Sequence, residues 1–380
     1  MNYLDNAATT FPKPECVYAA QDRINRTLSV NAGRGSYRAS HEAATILSDC
    51  RRGMAALAGC GEDHLVFAPS ATVAMNQIIL GLPWNPYKAV YVSPYEHNAV
   101  IRPLHRICKA HGLELKVLAA AEDGSLDLAQ IAVQFAKQPP NYVFLTHISN
   151  VTGYILPVRD VADMAHAHGA AVIADCSQSM GLLDARLDAL GADFLVFAGH
   201  KTLYAPLGIG GWACKSVEML EPVLCGGTGS DSLNPEMPEE MPLRFEAASP
   251  NLPAIASLLE AIKWRAALPA GALEARERAL TERLVAGLSR NRNIRLYRTK
   301  DAQAHIGVVS FNHRDFMADE LGMILDRDFD IAVRAGYHCA PLIHGLLDTV
   351  PKRGTVRASV SYFTEEADVD ALVDALRELD

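Results

Sequence analysis

The sequence predicts an α/β protein: a large domain with a mainly parallel sheet between two helical layers, then a smaller α+β domain. Three observations predict this. Up to about residue 214, apolar runs of four to six residues alternate with longer amphipathic stretches. After Gly226 the pattern changes to a Gly- and Pro-rich stretch, then to mixed helices and strands. The chain has 380 residues, more than one ordinary core holds.

The elements follow in order. Strands are expected at 65–68, 89–93, 113–118, 142–146, 170–174, 194–197 and 209–213. The run Phe194-Leu-Val-Phe197 has no polar member, as a strand covered on both faces requires. The strand near 209–213 is rich in glycine, which marks a close approach of something else. Helices are expected between the strands, at 41–58, 70–81, 98–111, 126–137 and 158–168. Glycines follow His111 and His168, where a helix C-terminus favours a left-handed residue. Strand–helix alternation of this kind gives parallel strands with right-handed connections. Residues 226–253 read as extended and irregular. Helices at 254–267 and 272–290 follow, then strands at 294–297 and 307–311. A helix at 316–326, strands near Ile331 and at 356–360, and a helix from Glu365 complete the chain. The expected division is a large domain at 15–250 and a small one at 251–380, with segment 1–14 joining the small one.

Composition narrows the function. The net charge is −9, which argues against general nucleic-acid binding. No stretch approaches the length of apolar chain that spans a membrane, and the first residues carry no signal-peptide pattern, so a cytoplasmic protein is expected. The eight cysteines form no C-x-x-C pair and are expected as free thiols. His105, Cys108 and His111 fall at helical spacing, but no second ligand pair follows, so no metal is expected.

In open α/β sheets, ligands bind beyond the carboxyl ends of the strands. The residues just past each expected strand are Pro69-Ser-Ala-Thr72, Glu96-His97-Asn98, His147-Ile-Ser-Asn150, Asp175-Cys-Ser-Gln178 and Gly199-His200-Lys201. An amine, a carboxylate, two amides, imidazoles and a helix N-terminus thus converge on one edge. Pyridoxal 5'-phosphate needs this set: a lysine to tether its aldehyde, a carboxylate to keep its ring nitrogen protonated, and donors for its phosphate.

With these residues in order, the chain resembles the class V aminotransferase-like enzymes of fold type I, in particular the SufS-like cysteine desulfurases and selenocysteine lyases. The resemblance runs nearly end to end. It includes Tyr3-Leu-Asp-Asn-Ala-Ala-Thr-Thr10, Glu96-His97, Ser149-Asn150, Asp175 with Gln178, Gly199-His-Lys201, Gly226-Gly-Thr228, Arg244-Phe-Glu246 and Arg334-Ala-Gly-Tyr-His-Cys339. The resemblance implies a fold type I transferase and a role for each site residue. Lys201 is the covalent tether and proton shuttle. Asp175 pairs with the ring nitrogen, Gln178 bonds the phenolic oxygen and His97 stacks on the ring. Thr72, with Ala71, His200 and backbone amides, surrounds the phosphate. Arg357, Asn150 and Asn31 form the substrate end, with Asn150 and Arg357 on the carboxylate. Family members are homodimers in which the Gly-Gly-Thr loop crosses to the other subunit, so Thr228 is expected from a partner.

Two positions depart from the family pattern. Ala71 and Ala198 stand where hydroxyl side chains often touch the phosphate. Each lost neutral hydrogen bond is worth about 1 kcal/mol. Cys339 separates reaction types. It lies in Tyr337-His338-Cys339-Ala340-Pro341, a loop flanked by Gly336 and Pro341, with an imidazole beside the thiol. The family places its sulfur-accepting cysteine here. The implied reaction turns L-cysteine into L-alanine and leaves a persulfide on Cys339 for an acceptor protein. L-selenocysteine lysis, β-elimination and transamination use the same cofactor surroundings and remain alternatives. A scaffold that has lost its cofactor is the reading that Ala71 and Ala198 raise.

Overall fold

The computed structural model describes residues 1–230 and 233–379. Among these, strand β1 is Asn2–Tyr3 and the large sheet uses the next seven: β2 Leu65–Ala68, β3 Ala89–Val92, β4 Leu115–Val117, β5 Pro140–Thr146, β6 Ala171–Asp175, β7 Phe194–Ala198 and β8 Gly210–Cys214. Their spatial order is β2-β8-β7-β6-β5-β3-β4. Strands β3 to β7 run parallel, and β8 lies antiparallel between β7 and β2.

Period-2 alternation explains why these runs are apolar throughout. Val143, Leu145, Val172, Ala174, Leu195 and Phe197 face one core. Tyr142, Phe144, Ile173, Phe194, Val196 and Trp212 face another on the opposite side. Helices Arg38–Ala58, Leu128–Lys137, Val158–His166 and Leu252–Ala267 supply the first layer; Ala71–Gly81 and Asn98–His111 supply the second.

The remaining strands are β9 Ile294–Tyr297, β10 Val308–His313, β11 Ile331–Ala332, β12 Arg334–Gly336 and β13 Thr355–Ser359. An antiparallel sheet of order β12-β13-β10-β9 packs against helices Ala272–Leu288, Ala318–Phe329 and Glu366–Glu378.

The N-terminal segment ties the two parts together. Strand β1 pairs in parallel with β11, and Leu4 is fully buried in the core of the smaller sheet. Its backbone then crosses to the large sheet: Ala7 O accepts from Gln178 Nε2 (2.8 Å), and the Thr9 and Thr10 hydroxyls donate to His200 O.

Several elements differ from expectation. Helix Glu15–Thr27 was not foreseen, although Val17, Ala20 and Ile24 mark its buried face. Strand β4 is shorter than 113–118 because Leu113 N–H still bonds Cys108 O beyond the Gly112 cap. Strand β12 is too short to show a period. The expected division at 250/251 falls just before helix Leu252–Ala267, whose Ala254, Ile255 and Leu258 belong to the large-sheet core. The irregular stretch at 226–253 has a single short helical turn, Leu243–Phe245, among its described residues, before Leu252 opens that helix. Asp231, Ser232 and Asp380 lie outside the described residues.

Candidate active site

The carboxyl ends of the parallel strands open onto a cavity of about 210 Å³. Ala71, Thr72, His97, Asn150, Asp175, Gln178, His200, Lys201 and Arg357 all line it. Nine separate expectations therefore meet in one place.

One end is built for an anion. Ser70 caps helix Ala71–Gly81, its Oγ accepting the Val73 N–H at 3.2 Å. Ser70, Ala71 and Thr72 of this first turn line the cavity, and a helix N-terminus leaves free N–H groups there. Strand β8 passes close by, and Gly210 is why it can. A Cβ there would lie 2.8 Å from both Ala71 N and Phe197 O. Ser70 itself lines the cavity and adds a hydroxyl at the end where Ala71 and Ala198 add none. His200 closes the same end. Burial, reinforced by Lys201 and Lys13, pulls its imidazole down to about 4, so the ring is neutral. Its buried Nδ1 has no partner among the described residues.

The middle is set by β6 and by the turn after β3. Asp175 is buried at the end of β6; one oxygen accepts the Ser177 N–H (2.9 Å). His97 caps helix Asn98–His111, its Nδ1 accepting the Ala99 N–H at 3.0 Å. That bond puts the ring proton on Nε2. Burial first, then Lys201, pulls His97 down to about 4, so it too is a neutral ring. Lys201 follows β7. Burial lowers its pKa, against the opposing pull of Asp175. A desolvated amine beside a carboxylate is a suitable nucleophile and proton carrier.

The far end is cationic. Arg357, on β13, is 1% exposed and donates through Nη1 to Asn150 O (3.0 Å). Directly opposite in the register is Arg334 on β12, so both guanidinium groups sit on one face. Arg334 also lines the cavity, and its Nη2 lies 3.3 Å from Cys339 Sγ. The Cys339 loop turns through three residues of positive φ, Gly336, His338 and Cys339. Asn98 N–H donates to Cys339 O (2.7 Å), and Asn150 Nδ2 to His338 O (2.7 Å). The sulfur is thereby held beside the cavity, half-buried.

The imidazole expected next to the thiol is turned away. His338 Nε2 bonds Thr355 O (3.0 Å) and Thr355 Oγ1 (2.8 Å), and burial drives its pKa well below the ordinary value. The cation at the sulfur is Arg334. Asn31 and Thr228 do not reach this cavity. Asn31 is exposed and bonds Ser249 Oγ (3.3 Å); Thr228 bonds Ser230 Oγ (3.0 Å) on an exposed segment. Cys176, beside Asp175, is fully buried, and burial pushes its thiol up.

Two acids receive no role from the sequence: Glu96, although it is named beside His97, and Glu277. Glu96 Oε1 accepts from Ser93 Oγ and Thr146 N–H, both at 2.6 Å, while Oε2 is buried without a partner. Burial pushes Glu96 up to about 8, and Glu277 likewise to about 8. Both are neutral in the folded chain at pH 7 and ionised in the unfolded one. Between the ordinary 4.5 and about 8 these two acids bind more protons in the folded chain, so their contribution to stability falls as pH rises through that window, against the rise that the buried neutral imidazoles His97 and His200 give below 6.5. The part of calorimetric Tm that depends on Glu96 should therefore fall between about pH 5 and pH 8. Glu96→Gln should flatten part of that fall. An unchanged slope would mean that Glu96 is ionised in the fold.

The class-V aminotransferase family model matches residues 2–372. The chain belongs to the aminotransferase class-V family. A probable cysteine desulfurase of Methanothermobacter thermautotrophicus is 30% identical, over 99% of this chain and 94% of its own. The apo structure of a cysteine desulfurase from Thermococcus onnurineus superposes with a TM-score of 0.92 at 31% identity, covering 99% of this chain and 94% of that one. The cysteine desulfurase CsdA of Escherichia coli, in an S-sulfonic acid form, gives 0.86 at 26% identity, over 99% and 94%. Class-V membership implies dependence on pyridoxal phosphate, and the residues fit it. The cavity joins a helix N-terminus and an unpartnered His200 Nδ1 at one end to Asp175, His97 and Lys201 at the middle.

Proposed function

We propose that this chain is a pyridoxal-phosphate-dependent cysteine desulfurase. It takes L-cysteine to L-alanine and keeps the sulfur on Cys339 as a persulfide. The observation that carries the reading is Cys339 Sγ on Arg334, at the edge of the cavity that holds Lys201 and Asp175. That edge is the place for a nucleophile meeting the sulfur of a substrate whose α-carbon lies over Lys201.

When bound, pyridoxal phosphate supplies a sink for the electron pair left at the substrate Cα. The protein does the rest. Asp175 would hold the proton on the ring nitrogen, Ser70, Thr72 and His200 would hold the phosphate, and His97 would lie against the ring. Arg357 and Asn150 orient the α-carboxylate. Lys201 takes the Cα proton and returns protons to the substrate carbons. The Cys339 thiolate attacks the substrate sulfur. The S–S bond forms as the Cβ–S bond breaks, and the pair from that bond goes to Cβ, which is then protonated. No outside oxidant is needed: a thiol and cysteine become a persulfide and alanine.

The exposed segment with Thr228 also carries exposed Val223 and Leu224, and Arg34 Nη2 bonds its Gly227 O and Ala248 O. We place the homodimer interface here, with Thr228 of each copy serving the other copy's phosphate end. Among the described residues no helix is long and apolar enough to cross a membrane.

The test is product analysis. The loaded protein is incubated with L-cysteine, and alanine, sulfide plus protein-bound sulfur, and pyruvate are each measured. Alanine and sulfur in equal amounts, without pyruvate, are expected. Pyruvate in place of alanine would make the protein a β-eliminating lyase. L-selenocysteine in a parallel arm measures preference between the two amino acids.

A further inference from the structure

Arg357 is not a free guanidinium waiting for a carboxylate. It is 1% exposed, and its Nη2 is already paired with Asp5 Oδ1. Asp5 comes from the N-terminal segment. Its own backbone forms a bridge to Ser359, two residues beyond Arg357 on the same strand. The pairing is therefore anchored at both main chain and side chain.

The donor inventory shows what this leaves. A guanidinium has five N–H donors. Asp5 takes one on Nη2 and Asn150 O takes one on Nη1. The Nε–H is buried with no partner. One N–H on each Nη remains, enough for the two-point grip that a guanidinium gives a carboxylate. Such a grip needs the plane of the guanidinium fixed. Asn150 O fixes one corner; Asp5 fixes the other.

Charge points the same way. Arg334 lies opposite Arg357 in the register and lines the same cavity, so two guanidinium groups crowd this end. An isolated guanidinium there would be pushed from its neighbours and from the interior. Asp5, part-buried at 23% side-chain exposure, is the carboxylate paired to it.

We propose that Asp5 is a positioning residue for the substrate's α-carboxylate: it fixes the plane of Arg357 so that two N–H groups face the cavity. The inference rests on the carboxylate-binding role given to Arg357 above. Asp5 touches no substrate atom in this account, and its effect falls on binding of carboxylate-bearing amines.

The experiment uses the loaded holoenzyme and two amines, L-alanine and ethylamine. Their binding is read from the change in cofactor absorbance, and L-cysteine kinetics are measured alongside. Asp5→Ala should weaken L-alanine binding roughly tenfold or more, the loss expected for a charge-assisted contact. Ethylamine, with no carboxylate, should bind as it does to the parent. KM for L-cysteine should rise by more than kcat falls. Asp5→Asn keeps an acceptor oxygen and is the variant to use if Asp5→Ala folds poorly. It should show a smaller rise in the same direction, and Asp5→Glu should restore part of the loss. Equal effects on both amines, or tighter L-alanine binding in Asp5→Asn, would overturn the proposal. Arg357→Ala is the control for the underlying reading. If it too leaves the L-alanine to ethylamine ratio unchanged, the carboxylate site itself is misplaced. If it alone abolishes the preference, only the role of Asp5 fails.

Discussion

Cys339→Ala should bind L-cysteine, change the cofactor spectrum and then stop. Taking the α-proton uses Lys201 and the ring, and neither contacts Cys339 in a way the substitution removes. Taking the sulfur uses a thiolate at the far end, where Cys339 Sγ lies on Arg334. Alanine release from L-cysteine should fall to background. Mass spectrometry should find persulfide at Cys339 in the parent and none in the variant. Selenium is a better leaving group than sulfur, so lysis of L-selenocysteine should survive in part. Alanine from L-cysteine at the parent rate would remove sulfur transfer to this residue from consideration.

Lys201→Ala should lose the visible absorbance of the lysine-tethered cofactor and turnover together. A positioned general base alone contributes about 10² to 10⁴ in rate, and here the tether is lost with it. The position is specific. Lys201 follows β7, two strands from β5, and faces Asp175 at the end of β6 between them. The substitution removes an amine held in a desolvated place, so the fold should survive. Borohydride reduction followed by peptide mapping checks the assignment. A cofactor-labelled peptide from the variant would place the tether elsewhere.

The main sheet and half of the site were legible because both rest on local pattern. Phe194–Ala198 is an unbroken apolar run, so its burial on both faces is visible in the letters, and Lys201 comes three residues later. Asp175 and Gln178 were found the same way, from β6. The substrate end was harder. Strand β12 has three residues and β11 two, too few for a period, so the pairing that sets Arg334 opposite Arg357 left no local trace. Arg334 stood in a recognised motif yet received no role, because its distance from Cys339 depends on that pairing. His338 shows the reverse error. Sequence adjacency put an imidazole beside the thiol, whereas positive φ at both residues sends the two side chains apart, His338 toward Thr355. Glu96 is named beside His97 but given no role, because its burial under Ser93 and Thr146 depends on contacts that no local window shows. The bond of Asp5 to Arg357 joins residues 352 apart, and no window of sequence contains both.

That separation has a consequence for how the protein is made. Residues 2–10 leave the ribosome long before their partners at 331–359 exist. At about 5 to 20 residues per second the interval is about 20 to 70 s. Throughout it, β1 has no β11 to pair with, Leu4 has no core to enter, and Asp5 has no Arg357. The large sheet can close meanwhile, since its strands lie within residues 65–214. A nascent chain can thus own a finished Lys201 and Asp175 and still lack its substrate grip. If Arg357 and Asp5 act as proposed above, sulfur chemistry waits until translation has delivered β13, and a leading segment kept from docking would hold the finished chain in that same early state.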